Sequence, residues 1–554
     1  MKIEDLLIST IKDKGLHSFQ EYEMSMPRIE LEAELMQAGF SNETIEAALL
    51  KLCNNGNLAM DEVSIYLYGT PRCILHTRLK ICSMKRDSNT RSIWQSVERS
   101  LFTDQPAQMN DTVYDVIIAG AGITGISLAL KLQEAGLKCL VAEAHTIAYG
   151  TTGGTTAHLN TVLDTPYSTI IQKFNLDTAR LIAEGAAAAI DDIKSNIDRY
   201  NIDCDYEVQK GYLYAVDDKQ AKDLKEMMDA MEQVGIPVIA AEHMALPATF
   251  VKAVVFNGQA QFNPAKYVLA LAHIFRSMGG IILEHTKITD VADEDDVKLV
   301  SSSKGSYRAI HVVYATHTLP GINLLHFKTA PYRSYLIAVR LKDTALYPDG
   351  LYYDMENPYH YFRTALDGEE RLLLVGGMDH KKGYEEQDQP DAFIGLEALS
   401  RKLFDVSEVV YKWSSQYYEP ADGLPYIGVM PGSQSKVYCA TGFSGNGMIF
   451  GTISASLIAK LILGRPHALT DCLSPSRLKL FASFKQVIKE NADVVKHFVA
   501  DRISIEQMSE FASLSKGEGR IIRAMIHASV KHTEVCAKIL NADLDKAMGT
   551  FDGH

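Results

Sequence analysis

The sequence predicts an α/β architecture built around one parallel β-α-β unit, on three observations. A short apolar run, Val116 to Ala119, leads into a glycine turn of spacing G-x-G-x-x-G at Gly120, Gly122 and Gly125. An apolar helical stretch, Ile126 to Ala135, follows and is stopped by Gly136. A second apolar run, Cys139 to Ala142, then ends in an acid, Glu143. From there strand-like and helix-like segments keep alternating, with no fixed-period repeat and no low-complexity tract.

The chain before this unit reads differently. Ile3, Leu6, Leu7 and Ile11 mark one amphipathic helix, and Ile29, Leu31, Leu35 and Met36 a second. Ser41 caps a third, with Ile45, Ala48, Leu49 and Leu52 on one face, stopped at Asn54-Asn55-Gly56. Leu58 to Leu67 then alternates as a short hairpin, so residues 1–105 take the order of a winged-helix-like module. The third helix carries Glu43 and Glu46 against a single Lys51, whereas a DNA-reading helix is basic. An interaction or dimerisation module is therefore expected over a nucleic-acid binder. The basic stretch Arg72 to Arg99 is expected to be a solvated linker, and the polar run Phe102 to Asp111 the boundary.

Bulk properties narrow the classes. The 554 residues suffice for two or three domains. A net charge of -14 argues against a protein coated in nucleic acid. The 8 cysteines include no C-x-x-C pair and read as reduced thiols. Cys73 and His76 form a lone C-x-x-H, too few ligands for a metal, so none is expected. The N-terminus MKIEDLLISTIKDKG has acids among its apolar positions, unlike a secretory leader, and no apolar run is long enough to span a bilayer. The expected location is the cytoplasm.

Each part of the β-α-β unit has a role in holding a dinucleotide. Gly120 permits the tight turn, Gly122 lets the backbone approach a pyrophosphate, and Gly125 lets helix and strand pack closely. The helix start at Ile123 and Thr124 offers unpaired N–H groups to phosphate, and Glu143 can accept from ribose hydroxyls. This Rossmann-type unit alone leaves FAD and NAD open. Two later segments favour FAD. A Gly/Thr-rich loop, Gly150 to Leu159, supplies donors beside the pyrophosphate and flavin. The loop Gly442 to Gly447 would set a further helix N-terminus against the flavin, stabilising negative charge on its reduced ring.

In this order and spacing the chain resembles the FAD-dependent D-amino-acid oxidase and glycine oxidase superfamily. The residues that carry it are the GAGITG turn, Glu143, GTTGGTTAHL, GQAQFNPAKY (Gly258 to Tyr267), VVYATH (Val312 to His317), PADGLPYIG (Pro420 to Gly428) and ATGFSGNGM. Within it the chain is most similar to a bacterial subgroup that adds a Rieske domain, on TTGGTTAHL, the strand from Arg333 and ENADVVKHFVADR from Glu490. The resemblance implies an FAD-binding domain (about 112–167, 255–325 and 415–465) interleaved with an α+β substrate domain (about 168–254 and 326–414). A helical extension over 466–554 follows, with Leu480, Phe484, Ile488, Val494 and Phe498 near helical spacing. It also implies a cofactor set. Ile123 and Thr124 would sit at the pyrophosphate turn; Glu143, Ala144 and Ile288 at the adenosine; Thr151, Thr152, Thr155 and Thr156 on the flavin side. Ala315 and Thr316 would lie beside the cofactor, and Gly442, Phe443, Gly445, Asn446, Gly447 and Met448 at the flavin ring.

The implied activity is oxidation of a C–N bond in a small amine or amino-acid-like substrate, by hydride transfer to flavin N5. Oxygen or a separate electron acceptor would reoxidise the flavin. Two departures matter. The C-x-H and C-x-x-H pairs of a Rieske cluster are absent after Arg520, so no iron–sulfur cluster is expected. Where relatives place a carboxylate-binding arginine before the proline of DGLP, this chain has Glu419, and a second arginine position is Gly445. A cationic or neutral amine would suit Glu419 better than a free amino acid. Among polar residues of the Tyr-rich strands, Arg333, Tyr361 and Arg363 are the expected catalytic set, with Tyr335, Tyr352 and His360 as neighbours; His317 and His380 read as strand-end residues. The rival is a regulatory, non-catalytic flavoprotein with the N-terminal module as output.

Overall fold

The computed structural model describes residues 90–97, 112–320, 324–381, 389–432 and 436–477, together with four short strands between residues 16 and 67. Those four, Leu16–His17, Met24–Pro27, Leu58–Met60 and Ser64–Leu67, form one antiparallel sheet, and the expected hairpin pairs Leu58 with Leu67. The three helices expected before residue 57 and the helical extension beyond 477 lie outside the described residues.

The β-α-β unit forms as its residues dictate. Val113–Ala119 is the central strand, flanked in parallel by Cys139–Ala142 on one side and Gly305–Tyr314 on the other. Ile281–Leu283 extends the sheet beyond Cys139–Ala142, and Val437–Thr441 pairs in parallel with Gly305–Tyr314. Val116, Ile117 and Ile118 are fully buried because helices cover one face and a second apolar cluster the other. Burying each such side chain contributes roughly 1.5–3 kcal/mol. Two helices matter most, Ile123–Glu134 and Gly447–Ile462. They approach so closely that a Cβ on Gly451 would lie 2.8 Å from Thr124 Oγ1 and 2.9 Å from Ile123 Cγ2. Their N-termini therefore end side by side.

A second, nine-stranded sheet makes the other half. Its order runs Val406–Pro420, Thr329–Leu341, Glu370–Lys381, His360–Asp367, Leu351–Asp354, Glu207–Ala215, Lys252–Gln261, His158–Leu159, with Ile239–Ala240 paired on Lys252–Gln261. The expected domain change near residue 414 thus falls inside a single strand, Val406–Pro420.

The linker expectation fails for residues 92–94. Ser92, Ile93 and Trp94 are buried, and Trp94 is among the largest enclosed side chains. The Trp94 indole N–H donates to Thr155 O at 2.5 Å, and Ser92 Oγ donates to Gly153 O. The physical reason is that the Gly150–Thr156 loop needs an apolar floor, which Ile93 and Trp94 supply. Arg91 does stay in solvent. Among the described residues no helix is long and apolar enough to cross a membrane.

Candidate functional site

A cavity of about 540 Å³ runs between the two sheets. Its first half is made largely of backbone. Gly120 has φ +102°, and a Cβ there would come 2.5 Å from Ala315 O; on Gly125 it would come 1.9 Å from Gly120 O. Only glycine lets the turn lie this flat against the strand ends. The helices Ile123–Glu134 and Gly447–Ile462 both begin at this cavity, and neither start is capped by the side chain of its own N-cap residue, Gly122 or Asn446. Two uncapped N-termini side by side present N–H groups and partial positive charge to whatever fills the space. Glu143 braces the turn: one carboxylate oxygen accepts from Ala121 N–H and the other from His145 N–H, both at 2.8 Å. Thr152 Oγ1 accepts from Ile123 N–H at 3.1 Å, tying the Gly/Thr-rich loop to the same turn.

The second half is made of side chains from many strands. Tyr353, Tyr359, Tyr361 and Tyr417 wall it, with Asp164, Ser334, Asp379 and Ser415 between them. Asp379 Oδ2 accepts from Tyr417 Oη at 2.9 Å, and Oδ1 accepts from Ser334 Oγ at 2.5 Å. Since Ser334 spends its proton on Asp379, Tyr361 donates to Ser334 Oγ, at 2.8 Å. Burial pushes Asp379 up to about 7 against these two hydrogen bonds, and the charges of Asp164 and Glu419 add to the rise. Asp164 accepts from Gly445 N–H at 2.6 Å and, despite that bond and one from Asn446, burial lifts it to about 6. Its accessible surface is high although protein surrounds it, because that surface borders the cavity. Burial, then Asp164, lifts Glu419 to about 7; Tyr417 Oη lies 3.5 Å from its carboxylate. Burial also holds the Tyr361 phenol far above its ordinary range, so it remains a hydrogen-bond donor.

His158 joins the two halves. Asn160 Nδ2 donates to Val162 O at 2.8 Å and to Tyr353 Oη at 3.2 Å. The Tyr353 hydroxyl proton is then left for His158 Nδ1, at 2.8 Å. Burial and the nearby Arg363 charge keep the imidazole neutral, so its one proton sits on Nε2. That nitrogen is buried and has no hydrogen-bond partner among the described residues.

The structure brings most of the sequence-predicted residues to this cavity. Gly120, Gly122, Ile123, Thr124, Glu143, Ala144, Thr151, Thr152, Thr155, Thr156, Ile288, Ala315, Thr316, Phe443, Gly445, Asn446, Gly447 and Met448 line it, as does Tyr361. Gly125 and Gly442 lie behind the wall, Gly125 against Gly120 and Gly442 against Pro420 and Thr329. Two of the three expected catalytic residues are elsewhere. Arg363 is buried beneath the floor: Nη1 donates to Thr156 O at 2.8 Å, Ala157 O at 2.9 Å and Phe262 O at 3.3 Å, and Nε to Thr364 O at 2.9 Å. Its guanidinium stands 5.5 Å from the Trp94 ring centre. Burial pulls it down to about 9, so it stays charged at neutral pH and clamps loop and strand together. Arg333 points to the opposite strand face, where Nη1 donates to Ser414 Oγ at 2.7 Å; the face toward the cavity belongs to Ser334 and Leu336. Tyr352 likewise stacks on Tyr212, leaving Tyr353 to face inward.

Sequence reasoning missed His158, Asp164, Tyr359, Asp379, Ser415 and Tyr417 as site residues. Two-residue alternation from Tyr361 would have found Tyr359, and alternation along Val406–Pro420 pairs Ser415 with Tyr417. Asp164 lies in a loop and carries no such signal.

Comparison with known proteins bears on the same segments. The sequence model of the family described as "DAO: FAD dependent oxidoreductase" matches residues 115–461. A Bacillus subtilis protein named for a Rieske 2Fe-2S iron–sulfur centre, YhfW, is 30% identical over 419 residues, 75% of this chain and 82% of that one. The gamma-glutamylputrescine oxidoreductase of Escherichia coli is 26% identical over 369 residues, 63% of this chain and 84% of its own. The crystal structure of glycine oxidase from Geobacillus kaustophilus superposes with a TM-score of 0.57 at 20% identity, covering 66% of this chain and 99% of that one.

Proposed function

Because the chain belongs to the DAO family of FAD-dependent oxidoreductases, we propose that it oxidises a C–N bond of a small amine or amino-acid-like substrate inside the cavity described above. One observation carries the reading: a phosphate-accepting turn and a tyrosine–carboxylate chamber open into one continuous space. Several relatives act on substrates of this kind by name, a gamma-glutamylputrescine oxidoreductase and four glycine oxidases.

The residues present fit FAD. The flat Gly120–Gly122 turn and the uncapped start of Ile123–Glu134 suit a diphosphate, and Glu143 keeps free lone pairs for ribose hydroxyls. The uncapped start of Gly447–Ile462, beside Phe443 and Asn446, suits the electron-rich edge of the flavin, and His158 Nε2–H is a neutral donor seeking an acceptor. When bound, the flavin supplies a two-electron acceptor for hydride. The chain's own residues do the rest. Tyr353, Tyr359, Tyr361 and Tyr417 exclude water and fix the orientation of a small substrate. Asn446 holds the chamber to the cofactor half, its Oδ1 accepting from Asp164 N–H at 2.8 Å. Oxygen or a separate acceptor would take up the electrons. The test is an absorbance spectrum of the purified protein followed by anaerobic titration with secondary amines and amino acids. A flavin spectrum bleached by members of that panel is expected. A colourless protein that takes up no added FAD, or a flavin that only a general reductant bleaches, rejects the proposal.

A further inference from the structure

The chamber end of the cavity is acidic. Asp164 and Asp379 line it and Glu419 stands behind Tyr417; the charges of Asp164 and Glu419 raise the proton affinity of Asp379, and that of Asp164 raises Glu419's. Among the described residues that line the cavity there is no arginine, and the lysine, Lys287, sits with Thr286 and Ile288 at the far end. Among the described residues Asp379 has two hydroxyl donors and no basic hydrogen-bond partner.

We infer that the substrate is an aliphatic amine bound as its ammonium cation, without a neighbouring carboxylate, and that Asp379 both holds this cation and removes its proton. This rests on the amine-oxidising function proposed above and narrows it. An amino acid would bring its carboxylate among like charges. Like charges held close together repel strongly at the low effective dielectric of a protein interior. An ammonium ion instead meets opposite charge and a wall of four tyrosines. A second observation points to a ligand at the same place. Ser415 lines this space, the residue is only 7% exposed, and its Oγ has no hydrogen-bond partner among the described residues. It can accept from an ammonium N–H.

The proton step balances simply. One N–H bond of the ammonium breaks, an O–H bond forms on the Asp379 carboxylate, and the pair of electrons stays on nitrogen as the lone pair. A neutral amine and a carboxylic acid result. That lone pair is what oxidation of the adjacent C–H bond requires. The titratable groups facing Asp379 are Tyr359, Tyr361, Tyr417, Asp164 and Glu419; Tyr335 feels its charge from the other face of the neighbouring strand, and His380 and Lys381 come next on its own strand. Since Asp379 titrates at about 7, its carboxylate form is present above that pH and lost below it.

The holoenzyme with its flavin decides the matter. Butylamine, 1,4-diaminobutane, glycine and N-methylglycine are mixed with it anaerobically at equal concentration, and tetramethylammonium serves as a cation that cannot be oxidised. The amines are expected to bleach the flavin and the two amino acids to leave it oxidised. Tetramethylammonium is expected to perturb the flavin spectrum saturably, with a Kd at least about tenfold weaker in Asp379→Asn, as loss of a desolvated charge contact implies. The reduction rate should rise with pH through about 7 in the native protein and be flat in that variant. If Asp379→Asn does not fold, Asp164→Asn must still weaken tetramethylammonium binding. Bleaching by the amino acids alone overturns this inference and leaves the amine-oxidising function standing; bleaching by none of the four removes both. An unchanged Kd in the variants also overturns it.

Discussion

The two halves of the cavity are built by different means. The cofactor half is shaped by backbone: a glycine turn braced by Glu143, two helix starts, and a loop tied to them by Thr152. The substrate half is shaped by side chains delivered from the strands Leu351–Asp354, His360–Asp367, Glu370–Lys381, Thr329–Leu341 and Val406–Pro420 and from the loops that carry Asp164 and Tyr359. The first means demands particular residues at short spacing, because only glycine satisfies the sterics. The second demands only that each strand place one polar group on its inner face. The halves should therefore fail differently when mutated.

The largest effect is expected in the backbone-built half. A methyl on Gly125 would sit 1.9 Å from Gly120 O, and the obstacle is main chain, which no rotamer change can relieve. Gly125→Ala should force helix and strand apart at a cost of about 3 kcal/mol or more. The turn would no longer fit a diphosphate, so flavin per purified chain, read from absorbance, should fall by about tenfold or more. Retention of full flavin content would show that the turn is not what holds the cofactor.

Arg363 tests the border between the halves. As a catalytic residue, it would govern substrate binding; as a clamp, it governs stability. Replacing it with methionine strands the carbonyls of Thr156, Ala157 and Phe262 in a dry interior and removes the cation from the Trp94 ring. Arg363→Met should cost about 3 kcal/mol, seen as a lower Tm, with the amine Kd of the folded fraction changing less than about threefold. A large Kd change at unchanged Tm would return Arg363 to the catalytic role its sequence position suggested.

The same contrast explains what could be read in the sequence. The strand–glycine–helix–acid run is local, and its sterics restrict residue type, so nearly every cofactor-side position expected from it reaches the cavity. The chamber was legible only as a set of Tyr-rich strands. Strand Thr329–Leu341 carries Arg333, Ser334 and Tyr335 in succession, and chemical conspicuousness favours Arg333, while the sheet turns Ser334 inward. A one-residue choice of face inverts the whole set. Tyr361 and Arg363 do share a face, yet Arg363 lies beneath the Gly/Thr-rich loop instead of in the open chamber. Asp379 follows Gly377 by two residues and looks like any strand-end acid until Ser334 and Tyr417 meet it from neighbouring strands. The buried Ile93-Trp94 pair was masked by the basic residues before it, which suggested solvent for the whole stretch.

A smaller effect probes the chamber's electrostatics. Tyr417 Oη donates to Asp379 and lowers its proton affinity, against the rise caused by burial. Tyr417→Phe removes that donor and keeps the ring. The Asp379 carboxylate should then bind its proton more tightly, so the acid limb of the flavin-reduction rate should move upward from about 7 by roughly half a unit to one unit. Anaerobic stopped-flow reduction across pH reads this directly. A limb that stays in place, or moves to lower pH, would mean that another group sets it.

The smallest effect sharpens the contrast from the other side, because Thr152 is a side chain working within the backbone-built half. Its hydroxyl accepts from Ile123 N–H at 3.1 Å and would lie 2.9 Å from a Cβ at Gly122, so it sits directly over the turn. Thr152→Val keeps the shape and removes the acceptor. The Ile123 N–H loses one ordinary hydrogen bond, worth about 1 kcal/mol, while the main-chain cradle stays intact. The FAD Kd, measured by flavin fluorescence on reconstituted protein, should therefore weaken by only about fivefold. If it weakened as much as in Gly125→Ala, the cofactor half would depend on side chains as heavily as the chamber does, and the division between the two would not hold.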